Sequence, residues 1–136
     1  MDKGIIVHSA IIVDGKLLIL KRVPCYLGDY WDIPGGTLKD GEDPTDGAIR
    51  ETLEETGVQV GNLELFFHYS NIDVEKNKHF VTLIFLAKAL SDPSAITLSP
   101  KEHSEYRWLD LGDIAEYQVV TYLPSLVSAL KARRIT

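Results

Sequence analysis

The sequence predicts a mixed α/β (α+β) sandwich. Three observations predict it: apolar β-rich runs stand before, between and after two helical segments; Asp14-Gly15 is a two-residue hairpin signal; and Asp43-Pro44 through Gly57 carries complete start and stop signals for a helix. The 136 residues suit one domain. No repeat, low-complexity tract or Pro/Ser-rich linker divides them, so residues 1–136 read as a single domain.

Gly4 to Val13 is the first strand, and Lys16 to Arg22 (KLLILKR) is its hairpin partner. Val23 to Tyr30 contains Pro24, Gly28 and Asp29 and reads as loop. Trp31-Asp32-Ile33 leads into Pro34-Gly35-Gly36, expected as a turn whose glycines are free to take positive φ. Asp43 can cap the first helix, Pro44 suits its first position, and Gly57 ends it after Thr56. Val58 to Tyr69 and His79 to Ala89 are further strands, joined by a polar connection around Glu75-Lys76-Asn77-Lys78. Ser91 to Pro100 is loop, and Glu105 to Leu109 is a short strand. Tyr122 to Arg134 is a second helix, with Leu123, Leu126, Val127 and Leu130 at helical spacing.

Composition narrows the function. Hydrophobic content of 45% and charged content of 25% are ordinary globular values. The net charge of −6 opposes sequence-independent binding to long nucleic acid, so a phosphorylated ligand needs a cation as mediator. One cysteine, Cys25, leaves no disulfide framework or cysteine zinc site and suits a reducing, cytoplasmic setting. No apolar run is long enough for a membrane span, and Met1-Asp2-Lys3-Gly4 does not resemble the start of a signal peptide.

The charge is concentrated on one element. Six acids and one base fall between positions 42 and 55, nearly the whole chain's excess. Glu51, Glu54 and Glu55 stand at i, i+3 and i+4, so a helix brings three carboxylates onto one face. Ile49, Leu53 and Thr56 form a second stripe, expected to pack on the sheet. A solvated acidic face is the bland alternative. In a cleft of effective dielectric ~20, carboxylates about 6 Å apart repel by roughly 3 kcal/mol per pair, and a cation is needed to hold them. Hard oxygen ligands point to Mg²⁺ or Mn²⁺ rather than zinc. Arg50 could pair with Glu54 on the helix surface or orient a ligating carboxylate.

Gly36, five residues, Glu42, seven residues, then Arg50-Glu51-Thr52-Leu53-Glu54-Glu55-Thr56-Gly57-Val58 resembles the Nudix box of the Nudix (MutT-like) hydrolases. Residues 36–58 hold every glycine and charged residue of that pattern. Thr52 departs from it, standing where the family has an aliphatic residue. Trp31 to Gly36 also resembles the aromatic-x-x-Pro-Gly-Gly run that leads into the box.

The resemblance implies a Nudix α/β/α sandwich and hydrolysis of a nucleoside diphosphate derivative by water attack on phosphorus, with Mg²⁺ or Mn²⁺. It implies Glu51, Glu54 and Glu55 as metal ligands, Glu51 also as a candidate general base, Gly36 as a carbonyl ligand and Arg50 as the residue fixing glutamate geometry. Relatives often carry a further base or ligand on a loop outside the box. Glu102 and Glu105 are the candidates here, with ordinary surface glutamates as the alternative.

Subgroup signatures are missing. The proline of ADP-ribose-specific relatives has no counterpart in Asn71 to Asn77, and Glu75-Lys76-Asn77 replaces the tyrosine of dinucleoside polyphosphate hydrolases. The remaining default is a nucleoside triphosphate or a modified one, with ADP-ribose or another nucleotide sugar as the alternative. Lys21 and Arg22 could meet phosphates, or simply be a solvated strand end. Tyr30 and Tyr106 are candidates for contact with the nucleotide, drawn from aromatics that also include Tyr26, Phe66, Phe67, Tyr69 and Phe80. The four histidines share no spacing and read as structural or exposed, and Cys25 lacks the neighbours of a nucleophile. A catalytically silent nucleotide-sensing module is the competing function from another class. The resemblance also implies a possible homodimer, since many relatives dimerise.

Overall fold

The structure is a computed structural model that describes residues 1–23 and 28–135. Cys25 and Tyr26 lie outside the described residues. The elements in chain order are strands β1 (Asp2–Val13), β2 (Lys16–Arg22), β3 (Trp31–Asp32) and β4 (Gly35–Thr37), helix α1 (Pro44–Thr56), strands β5 (Val60–Asp73), β6 (Lys78–Ala89) and β7 (His103–Asp110), a 3₁₀ helix (Leu111–Glu116), and helix α2 (Leu123–Ala132).

β1 organises the sheet, which runs β3-β2-β1-β6-β5, with β4 also on β1 and β7 on β2. Its first ten residues lie parallel to β6, from Asp2↔Lys78 to Ile11↔Ala87. Its end turns antiparallel into β2 through Asp14 (φ 52°) and Gly15 (φ 77°), the backbone of a tight hairpin. β2 is buried on both faces, so its alternate side chains feed two cores. Leu17 and Ile19 pack with Leu123, Leu126, Val127 and Leu130 of α2. Leu18 and Leu20 pack with Val58 and Val60, against which Ile49 of α1 also rests. The mixed α+β sandwich expected from the sequence is therefore observed.

α1 begins and ends where its signals stand. The Asp43 side chain accepts from the Thr45 amide at 3.0 Å, Pro44 occupies the first turn, and Gly57 closes the helix at φ 74° with its N–H on Leu53 O. Its buried face differs from the expected stripe. Leu53 is exposed, while Ala48, Thr52, Glu55 and Thr56 are buried. Thr52 suits that place because its hydroxyl donates to Ser9 Oγ of β1 at 2.9 Å, a polar contact that an aliphatic side chain could not make.

Gly35-Gly36 corrects a second expectation. These residues form β4, antiparallel to β1 with Val7↔Gly36 and His8↔Gly35, and neither takes positive φ. The glycines are needed for closeness. A Cβ on Gly35 would collide with the Val7 carbonyl oxygen and the His8 imidazole. The strand after α1 starts at Val60 and continues to Asp73, beyond the expected Tyr69, because its antiparallel ladder with β6 runs on to Asp73↔Lys78.

Candidate active site

β4 and α1 face each other across a few ångströms, and the carboxylates of α1 lie on the strand's backbone. A Cβ on Gly36 would stand 2.6 Å from the Glu51 carboxylate, so the missing side chain is what admits Glu51 there. One turn on, Glu55 Oε1 accepts from the Gly35 amide at 3.2 Å. Glu54 projects outward and is mostly exposed.

Arg50 ties the glutamates together. Its Nε and Nη2 grip both oxygens of Glu42 at 2.8 and 3.0 Å, a forked pairing that points Nη1 toward the next turn. Nη1 donates to Glu51 at 2.9 Å and to Glu54 at 3.3 Å, and Nη2 also reaches the Thr37 carbonyl at 3.4 Å. The guanidinium holds the Glu42 carboxyl down at about 2. Both jobs considered for Arg50 are thus compatible with one geometry.

Glu55 is in the opposite situation. It is 3% exposed, and its carboxyl is pushed up to about 9, first by burial and then by repulsion from Glu51, Glu102 and Asp32. It lies on a cavity of about 710 Å³ that Glu51, Gly36 and Glu102 also line. His8, Arg22, Asp32, His103 and Tyr122 line the same cavity. Asp32 is buried; its Oδ1 accepts from the Ile33 amide at 2.7 Å and from the Tyr122 hydroxyl. Burial, then the Asp32 charge, drives the Tyr122 phenol well above its ordinary range. His8 Nδ1 donates to the Ile33 and Pro34 carbonyls at 2.9 and 3.2 Å. Burial and then the Arg22 charge lower His103 to about 4.

Comparison with known proteins fits this geometry. A family model for the NUDIX domain matches residues 5–129. The chain belongs to the Nudix family. It is 31% identical to a MutT-like protein of Streptomyces ambofaciens over 93% of this chain and 73% of that protein. It is also 31% identical to the asymmetrical bis(5'-nucleosyl)-tetraphosphatase of Caenorhabditis elegans, over 95% of this chain and 94% of that one. The crystal structure of a MutT NUDIX hydrolase from Burkholderia pseudomallei superposes with a TM-score of 0.81 at 26% identity, covering 93% of this chain and 96% of that one. Relatives in the family are named as hydrolases, and this Nudix chain is an enzyme of that type.

Nudix hydrolases generally use divalent metal ions, and the donors present fit a hard cation. Glu51, Glu54, Glu55 and the Gly36 carbonyl offer only oxygen. The Glu55 carboxyl, neutral among three negative neighbours, is a group whose proton a divalent ion can replace. Among the described residues no three His, Cys, Asp or Glu side chains form a closed ligand group, and Arg50 pairs with Glu51 and Glu54.

The remaining sequence candidates divide. Glu102 and Arg22 line the cavity. Glu105 does not; it pairs with Lys21 at 3.3 Å and Arg107 at 3.1 Å. Lys21 is therefore engaged, and Tyr30 and Tyr106 pack against the two cores outside the cavity, where Tyr69 and Phe80 supply the aromatic surface. Sequence reasoning passed over His8, Asp32, His103 and Tyr122 as cavity residues. Two of them carried a signal: His8 interrupts an otherwise apolar strand, and Asp32 sits between the buried Trp31 and Ile33.

Proposed function

We propose that this Nudix enzyme cleaves a phosphoanhydride bond in a nucleoside diphosphate derivative, with a nucleoside triphosphate or a modified one as the favoured substrate. The observation that carries the reading is the meeting of Glu51, Glu55 and the Gly36 backbone on one cavity that aromatic and cationic side chains also line.

Glu51, Glu54, Glu55 and the Gly36 carbonyl would hold Mg²⁺ or Mn²⁺. When bound, the ion supplies neutralisation of the phosphate oxygens and acidification of water. The chain's own residues do the rest. Arg50 fixes Glu51 against Gly36. Glu51 accepts the proton of the attacking water; the water oxygen bonds to phosphorus, and the anhydride P–O bond breaks with its electron pair leaving on the departing phosphate. Glu102 is the second candidate for the proton, favoured over Glu105 because it lines the cavity and Glu105 is held by two cations.

Phosphate and pyrophosphate release from a panel of nucleotides, with Mg²⁺, Mn²⁺ or EDTA, tests the proposal. Release that requires the divalent ion is expected. Tight nucleotide binding without turnover would favour a sensing module instead.

A further inference from the structure

The cavity wall around Arg22 and His103 has a hydrogen-bonding inventory that the described protein groups do not complete. Arg22 Nε and His103 Nδ1 are both buried with no partner among the described residues. Each such orphan carries a desolvation penalty unless something else satisfies it. They belong to paired positions, Arg22↔His103, in the β2–β7 ladder at its bulge. Beside them, Asp32 Oδ1 is filled by the Ile33 amide and the Tyr122 hydroxyl. Among the described residues Oδ2 has only Arg22 Nη1 at 3.6 Å, beyond a good hydrogen bond. His8, Asp32, His103 and Tyr122 are all more than nine-tenths buried, so the arrangement is fixed by packing.

We propose that this wall is a base-reading subsite that selects a nucleobase with a ring N–H beside a keto oxygen over one with an exocyclic amino group in that place. The inference rests on the proposed nucleotide hydrolysis and names its substrate class. Asp32 Oδ2 is an acceptor aimed at a ring N–H. Arg22 and His103, in its Nδ1–H tautomer, are two unpartnered donors on neighbouring, paired positions of the ladder. A keto oxygen with two lone pairs takes both; a ring nitrogen with one lone pair takes one and strands the other. Guanine, hypoxanthine, uracil and thymine present this edge, whereas adenine and cytosine do not. The face of a base also has a neighbour: the Tyr69 ring lies 5.9 Å from that of Tyr122, and both line the cavity.

The test compares kcat/KM for GTP and UTP with ATP and CTP at saturating Mg²⁺, in wild type, Asp32→Asn and Arg22→Gln. The keto pair is expected to be favoured by about tenfold or more, and both variants to erase most of that preference. Arg22 is partly exposed, so R22Q keeps the test valid if D32N does not fold. GMP and AMP are titrated in EDTA by NMR, with GMP expected to move the His103 ring signals and AMP to leave them. Equal kcat/KM for all four nucleotides, or a preference that survives both variants, overturns the subsite. Failure to hydrolyse any nucleotide overturns the proposed function instead, and the GMP-over-AMP contrast then decides the subsite alone.

Discussion

Replacing Glu55 by Gln should flatten the pH dependence of the metal-free protein's stability. In the folded chain the Glu55 carboxyl is held at about 9, against 4.5 when free. Between those values the folded state keeps a proton that the unfolded chain has released, so stability is full below about 4.5 and falls as pH rises toward 9. One such group gives a slope of about 1.4 kcal/mol per pH unit. From pH 7 to 8.5 that is about 2 kcal/mol, or roughly 6–8 °C in Tm for a domain of this size. The window avoids His103, whose folded value of about 4 lies below its usual 6.5; its contribution grows between those values and is level above them. Gln retains the oxygen that accepts from the Gly35 amide, so E55Q should fold. Urea unfolding in EDTA at pH 7 and 8.5 measures both slopes. Equal slopes in wild type and E55Q would refute the raised Glu55 value and the view that its proton holds the place of a cation.

Glu54→Gln should lower kcat by roughly 10²–10⁴ at saturating Mg²⁺, since several kcal/mol of charge stabilisation are lost, while its circular dichroism stays native. Gly36→Ala should move the Glu51 carboxylate, the flexible end of a side chain, reducing turnover at least about 100-fold with a stability loss near 1 kcal/mol. Gly35→Ala should instead destabilise by about 3 kcal/mol or more, because the obstruction includes the β1 backbone; thermal melts of the two variants side by side separate these effects. Glu102→Gln should depress kcat/KM more than Glu105→Gln, whose partners Lys21 and Arg107 lie outside the cavity; a pair of initial-rate measurements decides it. Magnesium binding near pH 7.5 should release about one proton, read as a buffer-dependent enthalpy in calorimetry that E55Q removes.

What the sequence made legible was local. The caps of α1, the Asp14-Gly15 hairpin and the spacing of Leu123, Leu126, Val127 and Leu130 depend on neighbours in the chain, and the structure has all three. Pairing across the sheet was not legible. Gly35-Gly36 looks like a turn until β1 is laid beside it, and only then is the need for two residues without side chains apparent. Leu53 left its expected buried stripe, and Thr52 is buried with Ser9, 43 residues away, as the partner of its hydroxyl. The glutamates were legible as a cluster because a helix fixes their spacing. Their different environments were not: Glu54 is exposed, Glu51 is held by Arg50 and Glu55 is buried, contrasts set by β4 and the cavity. Asp32, His103 and Tyr122 come from three separate segments and meet only in the folded chain.

The most direct test of metal-dependent attack on phosphorus is turnover of the best nucleotide in ¹⁸O-labelled water, with mass analysis of the products. With Mg²⁺ or Mn²⁺ present, one ¹⁸O per cleavage should enter a phosphate-containing product, and E54Q or EDTA should suppress its formation. Label arriving at the same rate in EDTA, or undiminished in E54Q, would contradict a role for these carboxylates in holding the ion.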